Sequence, residues 1–193
     1  MRKHRAGNIK ESQFTINEYG VLFSVTLLCV LATGIFIRVG SAQSSAQAVI
    51  WINKVNVTAI GTGNSLQKTS GCDWCSDAGA TSQQTIPSGN GYMEFTVSET
   101  NTLRTSGLSN GNTDTSSADI DFAISLNGAG SAEVRENGTW KKDIPYITGD
   151  VFRVAVENGS IKYYKNGTAF HPSGLTPTYP LLVDTSLQNS NAT

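Results

Sequence analysis

Asp119-Ile120-Asp121-Phe122-Ala123-Ile124-Ser125-Leu126 is the stretch that decides the fold. In an extended chain Ile120, Phe122, Ile124 and Leu126 fall on one side, and Asp119, Asp121, Ala123 and Ser125 on the other. A two-residue period with that contrast describes a strand with one buried and one wetted face, as in antiparallel sheets. The alternation recurs at Met93, Phe95 and Val97, at Phe152, Val154 and Val156, and at Val55, Val57 and Ala59. From residue 50 onward no helical period competes with it.

Turn signals punctuate these runs. Asn-Gly stands at 110–111, 137–138, 158–159 and 166–167. This dipeptide accepts the positive φ angles that tight hairpins require. The last two pairs are close enough to demand strand, turn, strand, turn, strand. About ten short strands with this spacing predict an all-β, antiparallel two-sheet sandwich.

Charged residues make up only 15% of the chain and glycine numbers 19. Apolar residues still recur at regular spacing to the end, which excludes a disordered chain. The net charge is −1. Basic side chains gather at the N-terminus, at Arg2, Lys3, Arg5 and Lys10, and acidic ones outnumber them beyond residue 43. An acidic domain has no electrostatic footprint for nucleic acid.

Behind the basic N-terminus runs an uncharged stretch, Val21 to Ile37, followed by small residues at Gly40, Ser41 and Ala42. The pattern suits a hydrophobic helix that serves as a signal peptide cut after Ala42, or as an uncleaved anchor that ties the chain to a membrane. Both readings stand, and both export the C-terminal part. The expected organisation is a targeting segment over 1–42, a linker over 43–49 and a sandwich over 50–193.

The order of motifs is distinctive: Asn64-Ser-Leu-Gln-Lys-Thr69, Asp77-Ala-Gly-Ala80, Gly89-Asn-Gly-Tyr92, Gly107-Leu-Ser109, Gly149-Asp150, Val156-Glu-Asn-Gly159, Tyr164-Lys-Asn-Gly167, then Tyr179-Pro-Leu181 and Asp184. It resembles the concanavalin A-like, SPRY-like β-sandwich modules of bacterial surface and secreted proteins. The resemblance implies a jelly roll and a role in recognising a glycan or a surface protein, with no fixed set of ligand residues. Resembling modules continue past Asp184-Thr-Ser-Leu187 into a further strand. The sandwich is therefore expected to lack its last strand or to be completed by another segment, with the open edge near Val55–Ala59.

Candidate chemistry gathers in two loops. In an oxidising compartment Cys72 and Cys75 are expected to form a disulfide. Between them Trp74 offers an aromatic face for a sugar, and Asp73 and Asp77 offer acceptors for hydroxyls. Packing of Trp74 over the disulfide is the plainer alternative. Asn112 and Asp114 extend the candidate carbohydrate site. Asn110, Asn112 and Asp114 place oxygens at alternate positions of a glycine-containing loop, a pattern that suits Ca²⁺, but the closing Glu of an EF-hand is missing. No other cofactor is expected. Catalysis finds little support: Asp119 and Asp121 share a strand face without a third carboxylate, and His171 is the only histidine beyond the leader.

Overall fold

The computed structural model describes residues 14–19 and 46–193. Its strands are β1 (Phe14–Tyr19), β2 (Gln47–Ala48), β3 (Trp51–Val55), β4 (Val57–Ile60), β5 (Ser65–Lys68), β6 (Gly79–Ile86), β7 (Asn90–Thr96) and β8 (Arg104–Ser109). They continue as β9 (Phe122–Leu126), β10 (Ser131–Glu136), β11 (Thr139–Pro145), β12 (Val151–Glu157), β13 (Ser160–Lys165), β14 (Thr168–Pro172) and β15 (Leu181–Leu187). Two large sheets result. One orders β14-β13-β12-β7-β1-β2, the other β11-β10-β9-β8-β15-β6-β3, and β4 pairs with β5 in a small third sheet. Every pairing is antiparallel. No helix occurs among the described residues, and the run 21–37, expected to be helical, lies outside them.

The predicted alternation builds the core. Phe14, Phe95 and Phe152 stand in register across β1, β7 and β12, with ring centroids 5.3 Å and 5.8 Å apart. Ile16, Met93, Val154 and Tyr163 form the next rung. The other sheet answers with Leu108, Phe122, Ile124, Val134, Leu181 and Val183, all buried. Aromatic cross-strand pairs of this kind each add stabilisation beyond burial. Of the Asn-Gly pairs named above, those at Asn137, Asn158 and Asn166 are hairpin turns, with φ of 48°, 52° and 50°, each followed by a positive-φ glycine. At Asn110-Gly111 only Gly111 has positive φ, and the chain enters a long loop instead.

Four expectations are corrected. The sandwich reaches back to Phe14, inside the stretch read as a targeting segment, because Phe14 and Ile16 flank polar Thr15 and enter the core. The stretch read as a linker contains β2 and the buried Val49. Strand β9 begins at Phe122: Ile120 is fully buried, but over Gly107, where an added Cβ would come 2.8 Å from its Cγ2. Val55, Val57 and Ala59 are not one face, since positive-φ Asn56 breaks the run into β3 and β4. Of the segment expected to keep an open edge, β3, which ends at Val55, is the last strand of its sheet, and β4 pairs with β5; the strand supplied from elsewhere is β1, beside β7.

Phe95 is 4% exposed and sits mid-ladder. Phe95→Ala is expected to cost about 3–5 kcal/mol. Asp121→Ser removes one acceptor at the surface, that of the Asn110 amide, and is expected to cost about 1 kcal/mol. Urea melts of the two variants check the face assignment; equal losses contradict it.

Candidate functional site

The loop between β5 and β6 is organised by a cation. Leu66 and Lys68 share the inward register of β5, and Lys68 is only 2% exposed. Its Nζ donates to the carbonyls of Cys72 (2.7 Å), Cys75 (3.1 Å) and Gln188 (3.0 Å) and pairs with Asp77 Oδ1 at 2.6 Å. A buried ammonium needs such a shell, since desolvation without partners is costly. The second Asp77 oxygen accepts the Cys72 amide at 3.0 Å. Gly71, at φ +87°, is required beside it, because a Cβ there would lie 2.5 Å from Asp77 Oδ2. Cys72 and Cys75 are joined by a disulfide.

Asp73 ties the same loop to the chain after β15. Its Oδ1 accepts the Ser190 amide at 2.7 Å and the Asn189 side-chain amide at 3.1 Å. These bonds, the Ser190 amide first, hold the Asp73 carboxyl below the usual range. The Lys68 bond, followed by the Cys72 amide, does the same for Asp77. Both predicted sugar acceptors therefore brace the loop. Trp74, at φ +65° between them, is 68% exposed.

The second candidate loop, between β8 and β9, leans on the first. Thr115 Oγ1 donates to the Ser76 carbonyl at 2.7 Å, and Ser186 Oγ of β15 donates to the Thr115 carbonyl at 2.7 Å. Internal capping shapes it. Asp119 accepts the Thr113 amide and hydroxyl, Asp114 Oδ1 accepts the Ser116 amide, and Asp121 accepts the Asn110 amide. Asn110 Nδ2 reaches the Pro180 carbonyl at 2.8 Å. The Asn112 side chain is exposed and makes no hydrogen bond among the described residues. Of the Ca²⁺ trio, Asn110 and Asp114 are thus engaged in holding the loop. The cluster of possible metal-ligating side chains found among the described residues is Cys72, Cys75 and Asp77. Its two sulfurs are bonded to each other, which leaves no thiolate pair for an ion.

Asp119 and Asp121, weighed as catalytic carboxylates, spend oxygens on loop amides, and His171 rests on β14 with its ring 5.7 Å from that of Tyr163. Beside the Cys loop lies a shallow polar groove lined by Gln67, Ser98, Glu99, Asn101, Ser190 and Asn191. Ser190, which anchors Asp73, links groove and loop.

Two residues quoted among the motifs have environments that the motif order does not reveal. Lys68 carried a signal, a charge in the inward register beside Leu66. Asp184 carried none for its burial. It is 1% exposed on β15, its Oδ1 accepts the Thr185 amide, and its Oδ2 has no partner. Burial, reinforced by Asp119 and Asp114, pushes its carboxyl up to about 7.

Unfolded, that carboxyl ionises near 3.8. From there to about pH 7 the unfolded chain has lost a proton that the folded chain keeps, so stability falls as pH rises through this window and levels off above it. Asp184→Asn is expected to gain about 2–4 kcal/mol relative to the parent on going from pH 4 to pH 8. Urea melts at the two pH values check it; a pH-independent difference contradicts the burial of a protonated carboxyl.

No protein-family model and no curated protein matches this chain. Among solved structures it is similar to the PSpry domain of TRIM65, 13% identical, with a TM-score of 0.53 over 74% of this chain and 85% of that one. Alginate lyase AlgAT5 from polysaccharide lyase family 7 aligns at 14% identity and a TM-score of 0.46, over 69% of this chain and 71% of the lyase. The alginate lyase from Corynebacterium sp. aligns at 12% identity and 0.43, over 95% of this chain and 84% of the lyase. The fold of this chain is an all-β, antiparallel, SPRY-like sandwich of two large sheets.

Proposed function

We propose that this chain is an exported, non-catalytic recognition module that binds carbohydrate at the Trp74 loop. The observation that carries the reading is the exposed indole at the tip of a loop braced by a disulfide, a buried ammonium and two carboxylates. A sugar ring stacks its C–H face on such an indole, and a rigid loop loses little entropy on binding. The neighbouring groove is lined by hydroxyl and amide side chains that suit a second sugar unit, and the unengaged Asn112 stands on the adjoining loop. Adhesion at a cell surface is the role this chemistry suits. Export rests on the uncharged run 21–37 behind a basic flank.

A second reading, a protein-interaction module, is favoured by a different observation. Ile52 and Val55 are 39% and 45% exposed on β3, the last strand of its sheet, and Ile50 just before it is 55% exposed. An apolar edge of that kind suits a protein partner.

A glycan array separates the two. Trp74→Ala is expected to weaken glycan binding at least about tenfold, the loss of roughly 1.4 kcal/mol, while its melt stays within about 0.5 kcal/mol of the parent. Unchanged glycan binding in that variant refutes the Trp74 site. Absence of glycan binding, with a protein ligand lost on Ile52→Asp, moves the function to β3.

A further inference from the structure

Most strands of the β14-to-β2 sheet sit beside a close neighbour in sequence, but the edge of β7 is covered by β1, from the far N-terminus. All six residues of β1 pair with β7, from Phe14↔Phe95 to Tyr19↔Asn90. Phe14 stacks on Phe95 at 5.3 Å and meets Trp51 edge-on at 5.3 Å, and Ile16 is 2% exposed. The slot therefore reads a pattern: an aromatic residue, a polar one, then an aliphatic one, in an extended chain. Its own tether is weak. Next to β1, β2 contributes the pairs Thr15↔Ala48 and Ile16↔Gln47, and beyond them the Val49 amide and Asn64 Nδ2 donate long bonds of 3.3 Å and 3.4 Å to the Phe14 carbonyl. The two strands are joined by residues 20–46, where antiparallel neighbours need only a short hairpin loop.

Those intervening residues include the uncharged run 21–37. A chain threaded once through a membrane at that run has Phe14–Tyr19 on one side and Asn90–Thr96 on the other. The same molecule cannot then lay β1 beside β7, and β7 is left with a row of bare N–H and C=O groups above the rings of Phe95 and Trp51. Such an edge recruits a strand.

We propose that the β7 edge is a strand-acceptor site whose partner is an extended segment of another polypeptide carrying the Phe14-x-Ile16 pattern. The chain's own β1 shows what fits. Main-chain hydrogen bonds give the affinity and the two apolar pockets give the selectivity, as in other strand additions. In cis, β1 holds the slot through an effective concentration of roughly millimolar for a flexible tether. Removing the tether, by cleavage or by threading, leaves the slot to a partner. This inference does not rest on the carbohydrate reading.

The test uses the full chain with a protease recognition sequence inserted within 38–45, folded and then cut. The probe is a fluorescent peptide of residues 11–20. The cut chain is brought to equilibrium with the probe by refolding from urea, and binding is read as anisotropy. The probe is expected to displace the cut N-terminal piece, to bind the uncut chain at least about a hundredfold more weakly, and to lose binding when it carries Phe14→Asp and Ile16→Asp. Binding of neither probe to the cut chain, or equal binding of both, overturns the proposal. Dimers of the uncut chain that the probe dissociates overturn the choice of partner and assign the slot to a second copy.

Discussion

A single ammonium group, Lys68 Nζ, is the point on which the candidate site depends. It is buried, and it draws three carbonyls and a carboxylate from separate segments: the Cys72–Cys75 loop, Asp77 and the chain after β15. Water cannot serve it there, so the protein must, and the loop takes the shape that does so. The positive φ of Gly71, the Asp77 bond to the Cys72 amide and the outward turn at Trp74 follow from wrapping a short loop around one charge. The disulfide closes the same ring. Replacing Lys68 with an apolar residue would leave Asp77 and the three carbonyls without their common donor, so the loop and not just one ion pair is at stake.

The sandwich supplies the platform. Its two inner faces are dry ladders, Phe14–Phe95–Phe152 on one sheet and Leu108, Ile124, Val134 and Val183 on the other. On the opposite side of the second sheet Gly107 admits Ile120, Ser186 holds Thr115, and Asp184 is enclosed beside acidic neighbours. The loop from Asn110 to Asp121 thus lies against the sheet and meets the Cys loop at Ser76. Two loops far apart in the chain form one rim, on which Trp74 and Asn112 are exposed.

Much of the fold was legible because period-two alternation is a direct projection of a buried face onto sequence. It found Met93, Phe95, Phe122, Ile124, Phe152 and Val154 in the core, and Asn-Gly marked three true hairpins. It failed where local pattern and tertiary placement part. Ile120 fits the β9 period but crosses to the other side of the sheet over Gly107. Phe14-Thr15-Ile16 is too short, amid polar and charged neighbours, to declare a strand until the β7 edge selects it. The site was half legible. The Cys pair and Trp74 carry their chemistry in their names, whereas the bonds of the carboxylates around them, to Lys68, Asn189 and Ser190, were not legible. A carboxylate's partner is a three-dimensional fact, and spacing alone does not reveal it.

What emerges is a rigid aromatic tip on a sandwich whose own strand complement includes a segment from beyond the 21–37 run. The chain carries three tryptophans, and their environments differ enough to report separately: Trp51 is buried beside Phe14, Trp140 lies exposed on the edge strand β11, and Trp74 caps the braced loop. The most direct measurement follows their indole N–H resonances while a panel of neutral and acidic oligosaccharides is titrated into the labelled chain. Recognition at the braced loop predicts a saturable shift of the Trp74 resonance with Trp51 and Trp140 unmoved. A shift at Trp140 with Trp74 unmoved would contradict it.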